Sequence, residues 1–539
     1  MADMVLKNGK VVTIDANESM VEAIAVKFGK ILEVGLTKDI NSFIGPQTKI
    51  IDLNEKTVIP GLIDSHCHIT SAEGTMRAMG VIDASYETGT RSISDIQAKI
   101  LEQVKKKPKD EWINVVKEDD SKLVEKRHPT KWDLDEVAPN HPVIVSTVGG
   151  HFSIVNSRAF QMANITMNSP DPIGGRFERD PKTGKLTGWI HENARKKIQP
   201  IRFGRPPTLK EAMNGIQWMA EQYAAHGITC ASDGGITHSI VVKAIQLLAR
   251  DKALPIRMRL DLWYDFMPHL IALGIGEGFG DPMVQINAIK IVVDGAISAR
   301  TAWVTEPYLH RSNYYGEPAI TKELLYKIIM NAYPKGYRFA VHANGERAIN
   351  MFLDVIEEAQ QKYPRKDPRN RIIHCTVITS KIVQRIKRLG ILPTIFGPYP
   401  YYHGDKILPA FGAKRLERMF AARTFLDEGI KVAAHSDHTA APYPPLMGIH
   451  ALVNRKTSSG KKIGTSQRIS VMDALKLYTI NAAYHTFEEK AIGSIEPGKY
   501  ADIVVLGKDI LSVSPESIIN IPIDMTIVGG KIVYQRQTH

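Results

Sequence analysis

Cysteine is scarce in this sequence: three in 539 residues, at Cys67, Cys230 and Cys375, with no CxxC pair among them. An odd, scattered set does not build a disulfide framework, and it suits a reducing cytoplasm. No apolar run reaches the length of a bilayer span. The opening Met1-Ala2-Asp3-Met4-Val5-Leu6-Lys7 lacks a basic stretch followed by a long apolar one, so no signal peptide is expected. Low-complexity segments and short repeats are also missing. The formal charge is +12, but lysine and arginine are spread along the chain, with short clusters such as Lys105-Lys106-Lys107. Without zinc-finger spacing or basic residues interleaved with aromatics, the excess reads as a solvated surface, and no nucleic-acid partner is expected. Hydrophobic content of 43% and charged content of 23% are those of a soluble globular protein.

What is present begins at Val58-Ile59-Pro60-Gly61-Leu62-Ile63-Asp64-Ser65-His66-Cys67-His68. An apolar, strand-like stretch delivers two histidines spaced i, i+2. Alternate residues of a strand face one side, so both imidazoles can address one point. Imidazole is a common ligand of zinc and related metals, which makes this pair half of a metal site.

The two ends of the chain read as β-hairpins. Asp3–Lys7 and Lys10–Ile14 flank Asn8-Gly9, and Thr526–Val528 and Lys531–Tyr534 flank Gly529-Gly530. Residues 1–59 and 486–539 are expected to pair into one discontinuous β-sandwich. Between them strands and helices alternate: a strand at Ile228–Ser232, a helix at Ser239–Arg250, strands at Ile256–Leu262 and Ala288–Val293, a helix at Lys322–Ala332. This many βα units predict an α/β fold, a (β/α)8 TIM-like barrel over 60–485. An insertion at about 75–200, loop-like around Pro170-Asp171-Pro172-Ile173-Gly174-Gly175-Arg176, interrupts the rhythm and is placed to roof the site.

Chemistry-bearing residues recur at the C-terminal ends of these strands: His66 and His68, Lys290, His342, His374, and Asp437 after Val432–Ser436. In a parallel barrel those ends share one face, so residues far apart in sequence can converge. Each has an ordinary alternative. A lone histidine at a strand end is commonly a hydrogen-bonding loop residue, and Asp437 in a Ser-Asp turn could be an N-cap. Lys290 inside an apolar strand needs a negative partner. The joint pattern in strand order argues for the site.

These motifs resemble the amidohydrolase superfamily, and within it the amidohydrolase 3 branch that includes N-substituted formamide deformylase. The resemblance runs through Pro60–His68, Gly150-His151, Val155-Asn156-Ser157, Gly174-Gly175-Arg176, Lys290 to Asp294-Gly295, His342–Ile349, Arg371–His374, Ser436-Asp437 and Ile495–Asp502. It implies a barrel with a flanking β-sandwich, a homodimer, and one or two divalent metal ions, most often Zn2+. It further implies that His66 and His68 bind the more buried metal and that His342 and His374 bind the second. Lys290 would carry carbon dioxide as a bridging carbamate, and Asp437 would be both ligand and general base. Two departures stand out. Ile373 replaces the usual glutamate before the histidine. His435 and His438 flank Asp437 where small or apolar residues are usual, either shaping the pocket or lying on the surface.

The expected activity is hydrolysis of an amide-type, non-peptide C–N bond of a small molecule, such as an N-substituted formamide or N-acyl compound. Deamination, or ester or carbamate hydrolysis, on the same site is the alternative; a non-catalytic binding protein is a third reading that the intact ligand set disfavours. His151, Arg300, Tyr399 and His438 are the candidate substrate-side residues. The aromatic set Trp303, Tyr308, Tyr399, Tyr401, Tyr402 and Tyr443 would wall the pocket or pack its rim.

Overall fold

Eight strands alternate with amphipathic helices between Leu62 and His435. We number them β1 (Leu62–Cys67), β2 (Ile228–Ile236), β3 (Arg257–Trp263), β4 (Val284–Val292), β5 (Phe339–Ala343), β6 (Arg371–His374), β7 (Leu392–Phe396) and β8 (Ala433–His435). The computed structural model describes residues 1–70, 74, 77, 79–198, 207–309 and 311–537. All eight strands are parallel and pair in chain order. Just beyond the strand ends the sheet closes on itself: Asp437 N donates to His66 O at 3.0 Å, and His68 N donates to His438 O at 2.8 Å. Several outer helices start on side-chain caps, as at Leu209–Ala225, where Thr208 and Glu211 form a reciprocal capping box. Their apolar faces and the outward faces of the strands form one continuous core.

Two further sheets lie beside the barrel. One has four strands in the order Lys30–Gly35, Ala23–Lys27, Met4–Lys7, Lys49–Asp52. The other has six, including Ile523–Val528, Ile503–Leu506, Thr57–Pro60 and Lys10–Val12, so both chain ends contribute. Leu6, Val26, Val58, Ile503 and Ile527 pack between them. The hairpin expected across Asn8-Gly9 does not form. Met4–Lys7 pairs instead with Ala23–Lys27 and Lys49–Asp52, while Lys10–Val12 pairs with Met20–Val21 and Thr57–Pro60. The turn carries the chain from one sheet to the other, which sets Leu6 and Val11 in opposite layers of one apolar core.

The segment between β1 and the helix Leu209–Ala225, expected as an insertion with a loop-like stretch at Pro170–Arg176, is regular, and we call it the roof sheet. It forms a six-stranded mixed sheet in the order Gly175–Arg179, Leu186–Glu192, Phe152–Val155, Val143–Thr147, Ile113–Glu118, Ile82–Asp83. Gly175 and Arg176 open a strand there. The two ends of the expected insertion, near 75 and 200, lie outside the described residues. Among the described residues no helix is long and apolar enough to cross a membrane.

Candidate metal centre

The strand ends of the barrel gather a dense set of buried ring nitrogens around one carboxylate. His66 sits on β1, Lys290 on β4, His342 on β5, His374 on β6 and His435 on β8, with His68 and Asp437 one and two residues past their strands. His66 Nε2 and His68 Nε2 each lie 3.2 Å from Asp437 Oδ1. Lys290 Nζ is 3.3 Å from His66 Nε2. His374 Nε2 is 2.9 Å from His342 Nδ1. One ligand atom from each of His66, His374 and Asp437 fits within 4.8 Å of the others. The six residues read from strand order as ligands therefore form one chain of contacts.

Local structure holds them there. Gly234 on β2 lets the His66 ring approach, because a Cβ at that position would stand 2.2 Å from His66 Cε1. Asp64, two residues before His66, accepts from Ser436 N at 3.0 Å and from Ser436 Oγ at 2.5 Å, which pins the Asp437 turn to β1. Asp294 accepts backbone N–H groups from Trp303, Asn344 and Gly345, fixing the loop beyond His342. His374 and Asp437 are non-glycine residues at φ +76° and +55°. Such conformations persist where the surroundings over-determine them, and they concentrate at functional sites.

Burial dominates the electrostatics. It pushes His342 down to about 3, helped by the neighbouring His151, and holds His66 and His374 well below the usual imidazole range. Burial pushes Lys290 down to about 8 against the pull of Asp437 and Asp261. Burial works to raise Asp437, but His374, His66 and His68 outweigh it and hold the carboxylate well below its ordinary value. Neutral imidazoles facing an ionised carboxylate are the state a cation site requires. Asp437 Oδ1 is buried without any partner in hydrogen-bond geometry, and His66 Nδ1 likewise. An orphaned carboxylate oxygen between two ring nitrogens fits a divalent cation, and the mixed N/O donor set suits zinc.

The substrate-side candidates separate. The His151 ring lies 5.4 Å from that of His342, and its Nδ1 is 2.9 Å from Glu192 Oε2. Burial lowers the His151 pKa, yet Glu192 prevails and raises it. Tyr399 stands one layer back: its ring packs 4.3 Å from Phe396, which stacks 4.4 Å from His374, and its hydroxyl accepts from Ser298 N at 3.0 Å. His438 turns toward Tyr223, Nδ1 to hydroxyl 3.2 Å. Among the described residues Arg300 has no hydrogen bond or ion pair to any of the six, and it stands at the edge of a cavity of about 100 Å³ under the roof sheet.

His435 and His438 are both buried, which removes the surface reading. His435 Nε2 lies 3.3 Å from His374 Nδ1, a contact signalled in sequence only by its place two residues before Asp437. Ile373, in the place of the usual glutamate, packs with Ala288 and Ala340 and offers no acceptor. The six aromatic candidates do not line the cavity; Phe152, Trp189 and Tyr314 do. Tyr308 is buried against Phe411, Tyr401 meets His450 edge-on, and Tyr443 stacks on Tyr223.

The profile of the Amidohydrolase family matches residues 49–534. YtcJ of Bacillus subtilis (strain 168) is 30% identical over 524 residues, covering 96% of each chain. The N-substituted formamide deformylase of Arthrobacter pascens is 26% identical over 549 residues, 99% of each. An uncharacterized metal-dependent hydrolase from Pyrococcus horikoshii OT3 superimposes with a TM-score of 0.75 at 23% identity, over 95% of this chain and 99% of that one.

Proposed function

This chain belongs to the Amidohydrolase family, and from that premise we propose that it hydrolyses an amide-type, non-peptide C–N bond of a small molecule. The observation that carries the reading is the Asp437 carboxylate oxygen, buried between His66 Nε2 and His68 Nε2 without a hydrogen-bond partner. His66, His68 and Asp437 would hold one divalent cation, zinc by preference, and His342 and His374 a second. Lys290 would join them as the carbamate formed when its neutral amine adds to carbon dioxide and loses a proton. A bound divalent cation lowers the pKa of water toward neutrality and polarises a carbonyl.

The protein's own groups supply the rest. Asp437 takes a proton from the attacking water and delivers it to the leaving nitrogen, so that the amine departs neutral. His151, oriented by Glu192, donates to the carbonyl oxygen as charge develops there. Glu346, four residues after His342, serves elsewhere: it receives Arg418 at 2.7 Å and Thr305 N at 3.2 Å. That engagement favours acyl transfer to water over deamination, for which a free carboxylate near His342 would be wanted.

The test is elemental analysis of purified protein, followed by a panel of formamides, N-acyl amines, N-acyl amino acids and lactams, with formate or carboxylate release measured separately from ammonia. Bound zinc with release of the acid supports the reading. Protein that takes up no divalent metal and cleaves nothing with zinc supplied overturns it, and ammonia release as the main product moves the activity to deamination.

A further inference from the structure

The roof sheet turns a polar face into the molecule. Along Gly175–Arg179 and Leu186–Glu192 alternate residues share a side. Phe177 and Ile190 pack into an apolar cluster with Phe160 and Ile198, while Arg176, Glu178, Trp189 and His191 line the cavity above the barrel. Polar groups facing an enclosed space are costly unless they are paired or meet a polar ligand.

Most of them are paired. His191 Nε2 is 2.8 Å from Glu178, Arg176 reaches Glu317 at 3.3 Å, and Lys406 reaches Asp120 at 2.5 Å and Asp119 at 3.2 Å. Arg300 and Arg311 differ. Among the described residues neither has a carboxylate within ion-pair distance; Arg311 lies 5.5 Å over the Tyr314 ring and acts on Glu178 only at longer range. Both are exposed at the cavity mouth. Arg300 also holds φ +58°, a conformation uncommon outside glycine.

The same loops serve the metal centre and this cavity. Gly295 O is 3.1 Å from His342 Nε2, and Arg300 follows five residues later. Thr147–Gly149 line the cavity, and His151 follows two residues after Gly149. His403 lines it too, its Nε2 2.8 Å from Ala440 O, and Ala440 N donates to Asp437 O at 2.6 Å. At about 100 Å³ the space is well below the roughly 300–1,000 Å³ of a whole drug-sized site, so it suits one substituent of the substrate.

We propose that this cavity is a subsite for a short carboxylate-bearing arm of the substrate, held by the guanidinium groups of Arg300 and Arg311. Planar guanidinium groups match carboxylates through paired N–H donors, which gives direction as well as attraction. The proposal rests on the amide-hydrolase reading for the fate of the substrate, and on the cavity alone for its recognition.

The test uses two formamides that differ only in the acid, N-formyl-β-alanine and its N-methylamide, with zinc-loaded full-length enzyme. Formate release gives kcat/KM, and calorimetry gives affinity. The acid is expected to be preferred about tenfold, a ratio typical of one charged hydrogen-bonded pair. The preference should collapse in R300Q/R311Q, return in part in R300K/R311K, and shrink as salt rises from about 50 to 500 mM. A wild-type ratio near one, or a preference that R300Q/R311Q retains, overturns the subsite; the second result would mean that the acid is held by the metal centre. If neither formamide is cleaved, the proposed reaction on formamides fails, and calorimetry still decides the subsite by the same comparison.

Discussion

Asp437 Oδ1 lies 3.2 Å from Nε2 of His66, buried and outside hydrogen-bond geometry with any partner. His68 Nε2 stands at the same distance on the same oxygen. A buried carboxylate oxygen met by two imidazole nitrogens outside hydrogen-bond geometry matches a cation's ligand set. Asp437→Asn keeps an oxygen in place and removes the base. Metal content should stay within about twofold of wild type while turnover falls about 10²–10⁴-fold, the range of general acid–base catalysis. Elemental analysis and initial rates on the same preparations check this. A variant with full turnover would sink the proton-transfer role.

Arg371 and Asp261 form a fully buried pair near the other end of the barrel interior, 2.6 Å apart and bonded through both carboxylate oxygens. Asn287 Nδ2 completes the carboxylate at 2.7 Å. Arg371→Met leaves the buried Asp261 side chain without its cationic partner and should destabilise by about 3–5 kcal/mol. Adding Asp261→Leu removes the unpaired polar group, so the double variant should be more stable than the single one. Urea unfolding of both decides it, and a double variant that is the less stable would refute the account.

The barrel and its proposed ligands were legible because apolar runs close on, or carry near their ends, a polar residue: a histidine at His66, His68, His342 and His374, an aspartate at Asp437, and Lys290 inside its own strand. Other features depend on partners distant in sequence. Asp261 and Arg371 are 110 positions apart, and nothing in either strand names the other. The insertion showed no strands in sequence, and Pro170–Arg176 read as loop-like; Arg176, Glu178, Trp189 and His191 face a polar cavity, which weakens the apolar alternation that marks a strand. The Asn8-Gly9 turn was visible, but not that it joins two sheets, since Lys10–Val12 takes its register from Thr57–Pro60 about fifty residues on.

Asp502 ties the flanking sheet to the barrel. It accepts from Arg257 Nε at 2.7 Å, Arg257 Nη2 at 2.9 Å and Gly529 N at 2.7 Å. Both ion-pair partners are buried, with side chains 3% exposed. Asp502→Ala leaves the guanidinium without its anion and should cost about 3–5 kcal/mol. The proposed metal ligands lie at the opposite strand ends, so metal content per folded protein should not change. Thermal unfolding with metal analysis checks both, and loss of zinc from folded protein would show that the flanking sheet shapes the site.

His485 gives the pH dependence a sign. Its Nε2 is 2.8 Å from Lys431 O and its Nδ1 3.1 Å from Thr394 Oγ1, so the folded protein holds it neutral. Burial pushes its pKa down from the ordinary 6.5 to about 3, outweighing the Lys431 carbonyl. Between those values the unfolded chain binds a proton that the folded chain refuses. The stabilising contribution is therefore complete above pH 6.5 and declines as pH falls toward 3, with a slope of about 1.4 kcal/mol per pH unit. His403, pushed down to about 4 by burial, adds a second proton over the upper part of the same window. His485→Gln removes one titrating group. It should lower stability at neutral pH through imperfect packing, yet make the loss between about pH 6 and pH 4 shallower by close to one proton. Unfolding free energies at stepped pH measure that slope directly, and parallel slopes for the two proteins would show that His485 does not take up the proton.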